Sequence, residues 1–118
     1  NGTDTESNSN YSQAKWYQWS STATAQVDTG GNAFHYINAY SNQDYQGGGF
    51  FYFYNLGKAD KHSMITFHSV GGISATDVQY RIGGGQYKVE EAHNAIEIQK
   101  SNYSEQYMGK FSLYGLKQ

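Results

Sequence analysis

Few side chains in this sequence have chemical potential, and their spacing does not assemble a reaction. Four histidines, His35, His62, His68 and His93, are the only imidazoles. None stands two apart on a strand pattern or in the HExxH arrangement that grips a metal ion. His68 shares an alternation face with Met64 and Thr66, and His35 shares one with Ile37, so both read as packed or hydrogen-bonded. His62 and His93 fall in turn-like sequence and read as solvated. Glu90 and Glu91 are neighbours; on a strand they point to opposite faces and cannot form the facing carboxylate pair of a glycosidase. No GxSxG motif presents a serine nucleophile, and Ser69 and Ser74 beside Gly71-Gly72 read as turn residues. Asp28 to Asn32 and Asn42 to Asp44 carry oxygen donors without the spacing of a calcium loop. Gly47 to Gly49 and Gly83 to Gly85 lack the following helix that a phosphate loop needs.

The chain contains no cysteine, which excludes a disulfide framework, a thiolate nucleophile and sulfur-ligated metal. Catalysis is therefore not expected, and neither is a metal or cofactor. The formal charge is −2, from 8 basic and 10 acidic residues, which supplies no basic footprint for nucleic acid or anionic lipid. No apolar run approaches the roughly 20 residues of a membrane helix, so no transmembrane segment is expected.

The informative signal is an uneven distribution of aromatic and charged residues. From Lys15 to Gly57 the charges are Lys15, Asp28 and Asp44 alone, and that stretch holds both tryptophans and the run Phe50-Phe51-Tyr52-Phe53-Tyr54. Side chains alternate across a strand, so Phe50, Tyr52 and Tyr54 take one side and Phe51 and Phe53 the other. The same parity separates Trp16 from Tyr17 and Trp19. Some of these rings must lie on an outer face. Rings stack on the apolar faces of sugars, and Tyr, Asn and Gln groups add neutral hydrogen bonds to sugar hydroxyls. The residues expected to bind such a ligand are Trp16, Trp19, Tyr40, Asn42, Gln43, Tyr45, Tyr52 and Tyr54. Trp16 and Trp19 fall on opposite faces of a regular strand, so at most one of them serves.

The elements that must position these rings are strands. Residues 1–13 are polar and read as a flexible arm; residues 14–118 read as one β domain, consistent with a length of 118 residues. Ala23, Ala25 and Val27 alternate with polar neighbours before Asp28-Thr29-Gly30-Gly31-Asn32, a turn sequence, and a return strand follows from Ala33 to Tyr40. The segment Gly49 to Leu56 has the uncharged, proline-free profile of an assembly strand, and a central, protected position is expected for it. Ser63 to Val70 places Ile65 and Phe67 on one face. Thr76, Val78, Tyr80 and Ile82 form the inward set of the next strand, and Gly83-Gly84-Gly85 turns it into a partner carrying Tyr87 and Val89 inward. Ile96 with Ile98, and then Tyr107 to Tyr114 with Phe111 and Leu113 inward, complete about eight strands.

Short strands with Gly-rich turns and no crossover helix predict an all-β, single-domain antiparallel β-sandwich or small barrel. The opening Asn1-Gly2-Thr3 and the Asn, Ser and Tyr-rich composition read as a secreted chain after signal removal or as a trimmed one. The sequons at Asn1, Asn10 and Asn102 are ordinary for such a composition. The functional expectation is a small secreted, non-catalytic module binding a neutral carbohydrate or glycan through exposed rings. The alternatives are a secreted inhibitor or toxin-like protein acting on an extracellular protein or membrane target, and a self-assembling matrix protein.

Overall fold

Alternating β-branched, aromatic and polar residues pair across five strands in the computed structural model, which describes residues 9–19, 21–31, 33–34, 39, 46–98 and 110–115. The strands are β1 (Tyr11–Trp19), β2 (Thr22–Gly31), β3 (Gly47–Tyr54), β4 (His62–Gly72) and β5 (Val78–Glu90). They form one antiparallel sheet in the order β2-β1-β5-β4-β3. There is no helix among the described residues. The sheet is open: β2 and β3 are its two edges, so the described residues close no barrel and supply no second sheet.

Several expected strands and turns are reassigned by this arrangement. Strand β1 opens at Tyr11, inside the stretch whose composition suggests an arm. The Asp28 to Asn32 sequence does not turn the chain at Asp28, because β2 continues to Gly31. Gly30 instead is the extra residue of a bulge, where Tyr11 faces Gly31 and Ser12 faces Thr29. Its φ of 74° is the left-handed conformation that glycine adopts without steric cost. The Gly83 to Gly85 triplet is likewise no turn, since β5 passes straight through it. A Cβ on Gly83 would stand 2.7 Å from the Phe67 ring, and one on Gly85 would stand 2.5 Å from the Phe34 ring. The missing side chains thus make room for two rings that lie on the strand.

Residues 91–98 and 110–115 pair with no strand, so Ile96, Ile98, Phe111 and Leu113 are exposed rather than inward. These segments alternate in sequence but find no sheet edge to join. Most of the expected strand from Ala33 to Tyr40 lies outside the described residues. Strand β3 is an edge strand, not the protected centre, because its described partner is β4 alone.

One face of the sheet is covered by the chain itself. Ile65, Phe67 and Tyr87 are buried there; Ile65 and Phe67 share a face as the alternation of β4 predicts, and Tyr87 points inward as expected. Phe34 packs edge-on against Tyr11 with ring centroids 5.0 Å apart, and the Ala39 N–H donates to Ser69 Oγ at 2.8 Å. From the other end, His93 lies against the Tyr87 ring, and its N–H donates to the Leu56 carbonyl at 2.6 Å. His93 is therefore packed rather than solvated. The Tyr87 hydroxyl donates to Glu91 Oε1 at 2.8 Å.

This covered face also holds buried polar and charged side chains. Gln79 is fully buried, and Gln13 and Lys15 nearly so. Lys15 Nζ reaches Asp28 Oδ2 at 3.1 Å, while Gln13 Nε2 donates to the same oxygen and Gln26 Nε2 to Oδ1, both at 2.8 Å. Three donors around one carboxylate satisfy its lone pairs. The Gln13 hydrogen bond first, and the Lys15 ammonium second, hold the Asp28 carboxyl below its ordinary pKa.

Candidate functional site

The opposite, open face is where side chains meet solvent. Strand register places its residues in rows that run across all five strands. Ala25, Trp16, Ile82, His68 and Phe50 form one such row. Val27, Ala14, Gly84, Thr66 and Tyr52 form the next, and Thr29, Ser12, Gln86, Met64 and Tyr54 the one beyond. On the other side lie Ala23, Gln18, Tyr80, Val70 and Gly48. None of these register positions carries Asp, Glu, Lys or Arg.

The set Val78, Tyr80 and Ile82, expected inward, therefore faces out. Val78 is 52% exposed and Ile82 43%, whereas Gln79 between them is fully buried. Alternation distinguishes two faces but carries no sign; the sign is set by which face the rest of the chain covers. Ala23, Ala25 and Val27 are exposed on the same side.

Five rings on this face touch in sequence and make a continuous band. Trp16 meets Tyr80 edge-on at 6.0 Å, Tyr80 meets His68 at 4.9 Å, and His68 meets Phe50 at 5.1 Å. Phe50 then tilts against Tyr52 at 5.4 Å. The band crosses β1, β5, β4 and β3, and edge-to-face contacts hold each ring against the next from Trp16 to Phe50. Trp16, Phe50 and Tyr52 nevertheless keep between 41% and 50% of their surface exposed. Tyr54 stands beside the band, its hydroxyl 3.4 Å from Thr66 Oγ1.

Small residues leave shallow relief beside the rings. A depression of about 320 Å³ lies over Ala14, Gly84 and Thr66, bordered by Val27 and Met64. Another of about 310 Å³ lies between Phe50, His68 and Val70 above Gly48. Hydrogen-bonding groups at the margin are neutral: Gln86 Nε2 contacts His62 Nδ1, and Ser12, Thr29 and Thr66 carry hydroxyls. His62 opens β4 and is engaged rather than solvated.

Of the residues expected to bind, Trp16, Tyr52 and Tyr54 share this face. Trp19 belongs to the covered-face register, opposite Gln79 at the end of β1, so it stands apart from the band. Tyr40, Asn42, Gln43 and Tyr45 lie outside the described residues. Phe50, His68 and Tyr80 join the face, although sequence reasoning does not single them out as ligand residues. The parity that groups Phe50 with Tyr52 and Tyr54 contains the signal for the first; Tyr80 is concealed by its apparently inward set.

No group of three His, Asp or Glu residues converges to hold a metal ion among the described residues. No described helix is long and apolar enough to cross a membrane. Sheet and face together make this a small antiparallel β protein whose described residues present an exposed aromatic band in charge-free rows of the sheet. Comparison with known families, curated proteins and solved structures finds no match for the chain.

Proposed function

We propose that the open face binds a neutral carbohydrate, as a non-catalytic module of a secreted protein. The observation that carries this reading is the aromatic band from Trp16 to Tyr52, exposed in rows of the sheet that bear no charged side chain; Lys88 and Glu90, the charged residues of the same parity, stand beyond those rows at the end of β5. A neutral polymer offers a protein apolar ring faces and hydroxyls, and these are the groups that rings and neutral donors complement. Trp16 and Phe50 are separated by three strand spacings, roughly 14 Å, so the band suits an extended chain better than a single sugar. Preformed ring contacts reduce the ordering cost of binding.

The second reading, an extracellular protein target, draws on Val70, Val78, Ile82 and Met64, aliphatic side chains exposed around the rings. Soluble oligosaccharides separate the two. In a glycan array followed by titration against Trp fluorescence, saturable binding to neutral glycans is expected. Trp16→Ala and Tyr52→Ala are each expected to weaken it by about 1–3 kcal/mol while circular dichroism stays unchanged. Absence of binding to every neutral glycan, or binding unaffected by both variants, would overturn the carbohydrate reading.

A further inference from the structure

The two edges of the sheet are built differently. Edge strands expose unpaired backbone N–H and C=O groups, and proteins usually blunt them with bulges, charges or proline. Strand β2 carries such a device in the Gly30 bulge, and it carries Asp28 as well. Strand β3 has none: Gly47–Tyr54 pairs with β4 in unbroken register, and its sequence GGGFFYFY has no charge and no proline. Among the described residues its outer edge has no strand beside it.

We propose that β3 pairs antiparallel with β3 of a second copy of this chain, joining two five-stranded sheets into one. A second copy fits because an uncharged strand meets its own image without like-charge opposition in any register. Phe50 to Tyr54 also bring aromatic residues opposite aromatic residues, a favourable class of cross-strand pair. The contact is isologous: each copy uses the one edge that carries no such device among the described residues, so the assembly closes as a dimer and leaves the bulged β2 edges outermost. Pairing within one sheet keeps both open faces on the same side. The two aromatic bands, each ending at Phe50 and Tyr52 on β3, then meet at the join. The consequence for a long ligand rests on the carbohydrate reading; the dimer itself does not.

The test is sedimentation velocity on the full chain without any ligand, from about 1 to 300 μM. The wild type is expected to pass from monomer to dimer. Gly48→Lys, where an added Cβ meets nothing within 4 Å, and Tyr52→Lys are each expected to weaken dimerisation at least ~10-fold with unchanged circular dichroism. Gly48→Lys decides the matter should Tyr52→Lys fail to fold. Two controls read competing contacts: Ala23→Lys on the β2 edge and Trp16→Lys on the open face are both expected to leave the dimer intact. A monomer throughout, fibres instead of dimers, or loss of the dimer in either control would overturn the proposal. Slow hydrogen exchange along the outer edge of β3 in the monomer would do the same, by showing that the chain covers its own edge. Glycan binding, measured separately, neither rescues nor sinks this result.

Discussion

The two faces of this sheet depart from the usual assignment of polarity: the covered one buries polar and charged groups beside Ile65, Phe67 and Tyr87, and the open one leaves aromatic and aliphatic groups exposed. The face that the chain covers contains Gln13, Lys15, Gln79, Arg81 and Ser69, whereas the face left to solvent contains Trp16, Ile82, Val70, Phe50 and Met64. Burial by irregular segments explains the first. Loops bring backbone N–H and C=O groups onto the sheet, and a covering loop needs polar partners, as Ala39 finds in Ser69. A surface for an external ligand has no such requirement and can remain apolar, where each exposed ring is available for contact.

Four measurements put that contrast at risk, in descending order of effect. Phe67→Ala empties a position only 2% exposed beneath the covering segments and is expected to cost about 3–5 kcal/mol in chemical denaturation. Gly83→Ala follows, at about 1–3 kcal/mol, since its Cβ would meet the Ala14 carbonyl at 2.5 Å as well as the Phe67 ring. On the open face, Ile82→Ala is expected to cost less than about 1 kcal/mol despite removing a β-branched aliphatic side chain. A cost equal to that of Phe67→Ala would mean that both faces are covered in solution.

The weakest effect is pH-dependent. With the Asp28 carboxyl held below its ordinary value, its contribution to stability is fully present above the unfolded-state pKa, near 3.9. It is lost as the pH falls through the lower folded-state value. The wild-type advantage over Asp28→Asn is therefore expected to be constant from about pH 5 to pH 7 and to shrink progressively below about pH 4. An advantage that grows on acidification would contradict the donor cluster of Gln13, Gln26 and Lys15.

Much of β3 and β4 was legible in the sequence, β3 from its run of strand-favouring aromatics after three glycines and β4 from its alternating pattern. Ile65 and Phe67 share one face, and Met64, Thr66 and His68 the other, as their spacing predicts; the structure makes the first the buried one. In β5 the same rule finds the strand and mistakes its sign: Gln79 and Arg81 look like a solvent face but lie beneath the chain's own segments. Glycine misleads for a related reason. A triplet such as Gly83-Gly84-Gly85 signals conformational freedom, yet here its use is clearance for Phe34 and Phe67 from distant parts of the chain. Trp16, Tyr52 and Tyr54 are visible as candidates from aromatic parity. Their union with Tyr80 and His68 requires the order β1-β5-β4-β3, which no local pattern encodes.

That order also has a kinetic consequence. Strands β3, β4 and β5 join neighbours in sequence, as do β1 and β2, but β1 meets β5 only when Tyr11 finds Tyr87 and Trp19 finds Gln79. More than half the chain is enclosed by that pairing, and closing so long a loop is the slow part of folding a β protein. The molecule thus consists of a sequence-local meander and a sequence-local hairpin with one long-range seam between them. The contact of Trp16 with Tyr80 spans this seam. The aromatic band is therefore complete only once this seam has closed, and the fluorescence of Trp16 in a Trp19→Phe variant is expected to report that event.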